Sequence, residues 1–323
     1  MVKNLKYIII IPTHRIEFLK KNLESIMNQN VKPDLIIGID DTDDIDTDSG
    51  ITKIKELFIK VSQTIPITYY NKNDKILEKT ILKTGPMRAF ANIFLCLEDT
   101  ISNFKLQEFE TSNEYLVHIL EDDCYYLRKT TIEKIINQHK KFNTSLYKLN
   151  LVENQDDIQK ALNETLKNPN KVRTDINYNA ELIDTSSFIF KYDKKIIDQI
   201  IKYLENKQYT LSADVYAFEI LFNYFSKRFT DLNSILIFST QHPLQVSRKF
   251  DNDLKDDSHN WLYDLKLFGI NINERNLYNE FVNSLVEIKE RRENNPITKE
   301  EYFNIPSVKF AIENSIKLGV FGI

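Results

Sequence analysis

Three carboxylates stand together at Glu121, Asp122 and Asp123, directly after six mostly apolar residues, Tyr115–Leu120. A strand that ends in clustered acids brings negative charge to the carboxyl edge of an open α/β sheet, where such sheets bind ligands. Carboxylates packed side by side repel one another, so the cluster favours a cation. A hard ion such as Mg²⁺ or Mn²⁺ takes oxygen ligands and can bridge to a phosphate. The plain alternative is a solvated acidic turn. A second acidic burst, Asp40, Asp41, Asp43, Asp44, Asp46 and Asp48, follows an apolar stretch at Asp34–Ile39. Its outer members, Asp44, Asp46 and Asp48, read as a solvated loop. They do not make an EF-hand: glycine falls one place late at Gly50, and Lys55 stands where a bidentate Glu is required.

These acids need elements to hold them. Tyr7–Ile11 is a continuous apolar strand of the kind found in the centre of a parallel sheet. Pro12 ends it, and Thr13, His14 and Arg15 form the turn. Ile16, Leu19, Leu23, Ile26 and Met27 follow at helical spacing. Ser49 caps a second helix with Ile51, Ile54, Leu57, Phe58 and Val61 on one face. Ile65–Tyr70 is a third strand. Gly85 and Pro86 open a third helix, and Thr130 with Glu133 makes a capping box for a fourth. Alternating strands and helices mean a parallel sheet with covering helices, an α/β fold. Two successive strands then end in acids on one edge. Further on, Leu146–Val152, Leu182–Phe190 and Asn233–Ser239 read as strands. Asp156–Lys167, Ile196–Leu204, Ala213–Lys227 and the region from Trp261 read as helices.

The whole composition narrows the choice. The chain has 323 residues, 42% hydrophobic and 28% charged, which is globular rather than disordered. A net charge of −4 argues against extensive contact with nucleic acid. Cys96 and Cys124 make no metal-type spacing and indicate no disulfide framework. Cys124 reads as a packing residue, and His118, inside its strand, as a hydrogen-bonded core histidine. No apolar run reaches membrane-spanning length. The expected location is cytoplasmic, with contact at a membrane surface left open.

Five segments occur in an order that resembles the family 2 glycosyltransferases, which have the GT-A fold. IIIIPTHRIEFLKKNLESIMNQ is similar to their opening strand, Pro-Thr turn and first helix ending in Gln, here Gln29. IGIDDTDD is similar to their second strand with paired aspartates. TGPMRAFAN, with Arg88, Ala89 and Asn92, is similar to their Gly-x-x-x-Ala-Arg-Asn segment. LVHILEDD is similar to their Asp-x-Asp motif, with Glu121 where that motif begins with Asp. IFSTQHPLQVS, with His242 and Ser247, is similar to their late His-x-x-x-x-Ser segment. The matches run from about Tyr7 to Ser247.

The resemblance implies a mostly parallel sheet flanked by helices, with a helical C-terminal region. Residues 1–250 would form the transferase domain, with 1–128 the nucleotide-sugar half and 129–250 the acceptor half. Residues 251–323 would be a helical extension. It implies transfer of a sugar from a nucleoside-diphosphate donor, with a UDP-sugar favoured, to a hydroxyl on a glycan, a lipid-linked sugar or a small molecule, with inversion. Pro12, Thr13, Arg15, Asp40, Asp41, Arg88, Glu121 and Asp122 would bind the donor. Asp123 and His242 would hold Mn²⁺ or Mg²⁺. Asp214, at the start of a helix where the family often has Glu-Asp, would be the general base. Ser186 and Ser187 are similar to the small residues that line the acceptor side. A modified DNA base as acceptor fits poorly with the acidic balance. Two other classes stay open. A nucleotidyltransferase typically needs a Gly-rich loop after the first strand, which IIIIPTHR lacks. A degenerate transferase-like binding domain is kept open by Glu121 and by Ala213 before Asp214.

Overall fold

The four isoleucines Ile8–Ile11 have no solvent exposure on either side of their strand. That requires neighbours on both edges and helices on both faces. Both are present in the computed structural model. It describes residues 4–13, 16–40, 48–71, 73–77, 85–104, 113–152, 158, 160–161, 163, 169–175, 184–205, 213–240, 271–272 and 321–322; for 48–52, 85–89, 104, 203–205, 213–216, 219, 271–272 and 321–322 it describes the backbone alone.

The chain divides into two compact units. The first comprises Met1–Leu82, Arg88–Asn206 and Ala213–Gln241. Here β1 (Asn4–Thr13) lies between β2 (Leu35–Asp40) and β4 (Asn113–Ile119), parallel to both, and β3 (Ile67–Asn71) extends the sheet beyond β2. The expected α/β class therefore holds. The first strand is longer than its apolar run: Pro12 and Thr13 continue the ladder opposite Ile39 and Asp40 instead of turning away. Beyond β4 the sheet becomes mixed. β8 (Phe188–Lys191) is antiparallel to β4 and to β6 (Leu146–Val152). β6 runs parallel to β9 (Phe229–Ser239). Two short strands share the outer edge of β9: β7 (Lys171–Arg173) opposite Phe229–Asp231, and β5 (Cys124–Tyr126) opposite Ile237–Ser239. β9 can serve both because its 11 residues leave room for two three-residue partners end to end; on its other edge the register against β6 shifts between Leu149 and Asn150.

Helices α1 (Ile16–Met27), α2 (Asp48–Ser62) and α4 (Thr131–Phe142) cover one face. Leu19, Leu23, Ile26, Ile54, Phe58, Ile132 and Ile135 pack there with Tyr7, Ile9, Ile11, Leu116 and Tyr147. On the other side, α3 (Gly85–Phe104) sets Phe94 against Phe190 of β8. Of the remaining helices, α5 (Lys194–Glu205) follows β8, and α6 (Ala213–Tyr224) sets Phe218 against Phe188. Period-two alternation in β8 sends its two phenylalanines to these helices and Ile189 to the first core.

Three local expectations give way to specific bonds. The capping box of α4 does not form, since Thr130 makes no side-chain cap. Instead the Ile132 amide donates to Gln29 Oε1 at 3.2 Å, so a residue just past the end of α1 caps α4. Thr185–Ser187 is a 3-10 turn rather than the start of a strand. Asp184 accepts from the Ser186 amide, and Ser187 returns a bond to the Asp184 backbone, so short polar side chains outcompete the ladder. Finally, α6 ends at Tyr224 because Ser226 and Lys227 take left-handed backbone conformations. The helix expected at 156–167 falls mostly outside the described residues; Ile158, Lys160, Ala161 and Asn163 are helical.

The second unit comprises Lys83–Met87, Lys207–Ser212 and His242–Ile323. In it β10 (Asn271–Ile272) pairs antiparallel with β11 (Phe321–Gly322). These four residues are extended. The rest of the helical region expected at 251–323 lies outside the described residues.

Candidate active site at the carboxyl edge of the parallel strands

The parallel register puts Thr13, at the end of β1, beside Asp40, at the end of β2. The Thr13 hydroxyl donates to Asp122 Oδ2 at 3.1 Å. One threonine thus links the two acidic clusters that the sequence places after separate strands. Asp40 accepts a bond from the Tyr69 hydroxyl of β3 at 2.9 Å. Burial, then the Asp40 charge, pushes the Tyr69 phenol well up, which keeps it a donor. Asp40 and Asp122 are 1% exposed and Asp123 is 4% exposed.

The acidic turn is fixed from several sides. Leu120 donates its amide to Ile10 of β1. Asn22 of α1 donates from Nδ2 to the carbonyls of Glu121 (2.8 Å) and Cys124 (2.7 Å). The Glu121 amide donates to Ser186 Oγ at 3.0 Å. The Asp123 carbonyl accepts from the Thr240 amide, just past β9, at 2.9 Å. A solvated acidic turn would not need tethers to four separate elements. Cys124 follows at once, buried, and its thiol is pushed well up by burial and by the charges of Asp123, Asp184 and Glu121. It donates to Asp123 Oδ1 at 3.5 Å. A thiol held protonated in this way is a packing residue, as expected, and not a nucleophile.

Of the expected donor-site residues, Thr13, Asp40 and Asp122 come together. Glu121 and Asp123 flank Asp122 in the same turn, with Glu121 half-buried. Pro12 is half-buried in β1 opposite Ile39. Arg88 is the fourth residue of α3 and Asp214 the second of α6, each described by its backbone. Arg15, Asp41 and His242 lie outside the described residues. Ser186 and Ser187 are buried, and Ser186 serves as a tether for Glu121 rather than as an open lining.

Among the described residues no group of three or more His, Cys, Asp or Glu side chains is arranged to hold a metal ion. Asp122 and Asp123 nonetheless offer hard carboxylate oxygens. A donor set of two carboxylates is the kind used by a cation that takes most of its other ligands from water and a phosphate.

Asn22, Tyr69 and Thr240 were not legible as site residues. Asn22 gives one signal: it is the polar residue on an otherwise apolar face, between Leu19 and Ile26 at helical spacing.

No family model matches the chain, and no curated protein matches it. Among solved structures it is similar to Staphylococcus aureus TarS 1–349, with a TM-score of 0.45 and 12% identity over 77% of this chain and 64% of that one. The same fragment in complex with UDP gives a TM-score of 0.47 and 12% identity, over 97% of this chain and 92% of that one. Mannosyltransferase PcManGT from Pyrobaculum calidifontis, in complex with GDP-Man and Mn²⁺, gives 0.46 and 8% identity, over 98% and 76%. In the alignments with TarS 1–349 and with TarS as a whole, the chain spans 64% and 38% of their lengths.

Proposed function

We propose that this chain binds a nucleoside-diphosphate sugar at the carboxyl edge of β1, β2 and β4, and transfers the sugar to an acceptor hydroxyl with inversion. The observation that carries this reading is Thr13, which pairs with Asp40 across the ladder and donates to Asp122. It makes one site out of two acidic strand ends, at the position where open α/β sheets receive nucleotides. In this reading Asp40 binds the ribose or base. Asp122 and Asp123 would hold Mg²⁺ or Mn²⁺, which when bound neutralises the diphosphate. Asp214 opens α6, where the helix dipole favours a carboxylate. In this reading it takes the proton of the attacking hydroxyl. The acceptor is a glycan, a lipid-linked sugar or a small metabolite.

Calorimetric titration with UDP, GDP and their sugars, with and without Mn²⁺, tests the donor site. Wild type should bind one of them in a metal-dependent way. Asp123→Ala should lose that binding while melting as a folded protein. A wild type that binds none of them under any metal condition would return Glu121–Asp123 to a structural acidic turn. Asp214→Asn tests the base. It should cut transfer by roughly 10²–10⁴-fold with donor affinity unchanged; joint loss of donor binding and folding would make Asp214 a structural helix-start acid.

A further inference from the structure

One residue before the carboxyl end of β4, His118 is 0% exposed. An apolar residue would suit that position without the cost of burying an imidazole, so its polar contacts need a reason. Nε2 lies 3.0 Å from the Ser186 carbonyl, which can only accept, so Nε2 carries the proton. Nδ1 must then accept. The Tyr126 hydroxyl stands 2.7 Å from it and the Tyr7 hydroxyl 3.0 Å, with 3.4 Å between the two hydroxyls. Each partner leads to the acidic turn. Ser186 accepts the amide of Glu121, where the turn begins. Tyr126 lies three residues after Asp123, where the turn has passed into β5. Tyr7 belongs to β1, the strand that ends in Thr13.

We infer that His118 is a positioning residue for the donor site: neutral and protonated on Nε2, it sets the entry of the acidic turn through Ser186 and its exit through Tyr126. It touches neither donor nor cation, and acts through the placement of Glu121, Asp122 and Asp123. The inference rests on the donor-site reading above for its functional consequence, while the tether itself is readable without any ligand.

The experiment compares His118→Gln, which can keep a donor toward Ser186, with His118→Asn, which is too short to reach it. Ser186→Ala serves as a second route that leaves the histidine in place. Amide hydrogen exchange at Glu121 and calorimetric affinity for the nucleoside diphosphate with Mn²⁺ are read for each. His118→Asn and Ser186→Ala should speed Glu121 exchange and weaken the affinity, each on the order of tenfold. His118→Gln should restore both toward wild type, and exchange in β2 should not change in any variant. If His118→Asn does not fold, Tyr126→Phe decides, since it removes the hydroxyl beside Nδ1 and leaves Ser186 intact: weakened nucleotide affinity supports the inference and unchanged affinity overturns it. Unchanged Glu121 exchange, or equal weakening by Gln and Asn, overturns the inference. A wild type that binds no nucleoside diphosphate defeats the proposed function instead. In that case protection of the Glu121 amide, lost in Asn and kept in Gln, still supports the positioning role, and its indifference to both overturns it.

Discussion

Asn22 shows how much of the site depends on a residue with no chemistry of its own. It is fully buried, and its Nδ2 group donates to the carbonyls of Glu121 and Cys124. Its Oδ1 has no hydrogen-bond partner among the described residues. The amide cannot profitably flip, because Oδ1 would then face two carbonyls. Asn22→Leu keeps the volume but takes a buried donor away from both carbonyls, leaving that of Glu121 with the Cys124 amide alone. The expected loss of stability is on the order of 1–3 kcal/mol, measured by urea unfolding. Metal-dependent nucleotide affinity should fall with it, because the freed turn is the one that carries Asp122 and Asp123. A neutral substitution in both measurements would mean that the bonds from Ile10, Ser186 and Thr240 hold the turn without Asn22. The acids themselves were legible because clustered charge after an apolar run is a local signal. Asn22, and the tether that Ser186 makes, were not, since their partners lie 99 and 65 residues away in the sequence.

The same division holds for the elements. β1, β2, β3 and β4 could be read from the chain because isoleucine runs and helical spacing are local patterns, and right-handed βαβ crossovers leave few ways to connect them. β5 could not. It has three residues, follows the acidic turn directly, and pairs with Ile237–Ser239 more than a hundred residues later. Gly38 lay in view within LIIGI, but its reason did not. A β-carbon there would meet the Phe58 ring of α2 at 2.6, 2.7 and 2.9 Å. Phe58 is itself buried and packed on Tyr69, with ring centroids 5.5 Å apart. The glycine therefore lets α2 lie close on β2, just before Asp40. Gly38→Ala should cost about 1–3 kcal/mol by overpacking. Phe58→Leu in the same molecule should relieve part of that cost, so the double variant should be more stable than the two single effects added together. Simple additivity would show that the ring moves aside freely and that the close approach is not what selects glycine.

Across the whole molecule, the buried histidines couple the fold to pH. Burial pushes His118 down from 6.5 to about 4, against a smaller upward pull from its bond to the Ser186 backbone. Burial also lowers His139, where Lys191 adds to the effect and Glu114 opposes it. An unfolded histidine takes up a proton below about 6.5, whereas folded His118 does so only below about 4. The unfolded state therefore binds more protons between these values, and stability falls as pH drops through that window. It is fully present above 6.5 and has nothing more to lose from this group below about 4. At about 1.4 kcal/mol per pH unit, the whole window is worth about 3 kcal/mol, and a drop from 7.5 to 5 should remove about 2 kcal/mol through His118 alone. The lowered Glu98 carboxyl does not interfere, since its contribution is lost only as pH falls below its ordinary value of 4.5. Urea unfolding of wild type and His118→Gln at pH 7.5 and pH 5 measures the term directly. The variant should start less stable at pH 7.5 and lose less on acidification, and the residual slope should belong to His139. Equal acid sensitivity in both proteins would mean that His118 is not the group whose protonation opens the core, and that its ring tolerates the charge within the Tyr7–Tyr126–Ser186 cage.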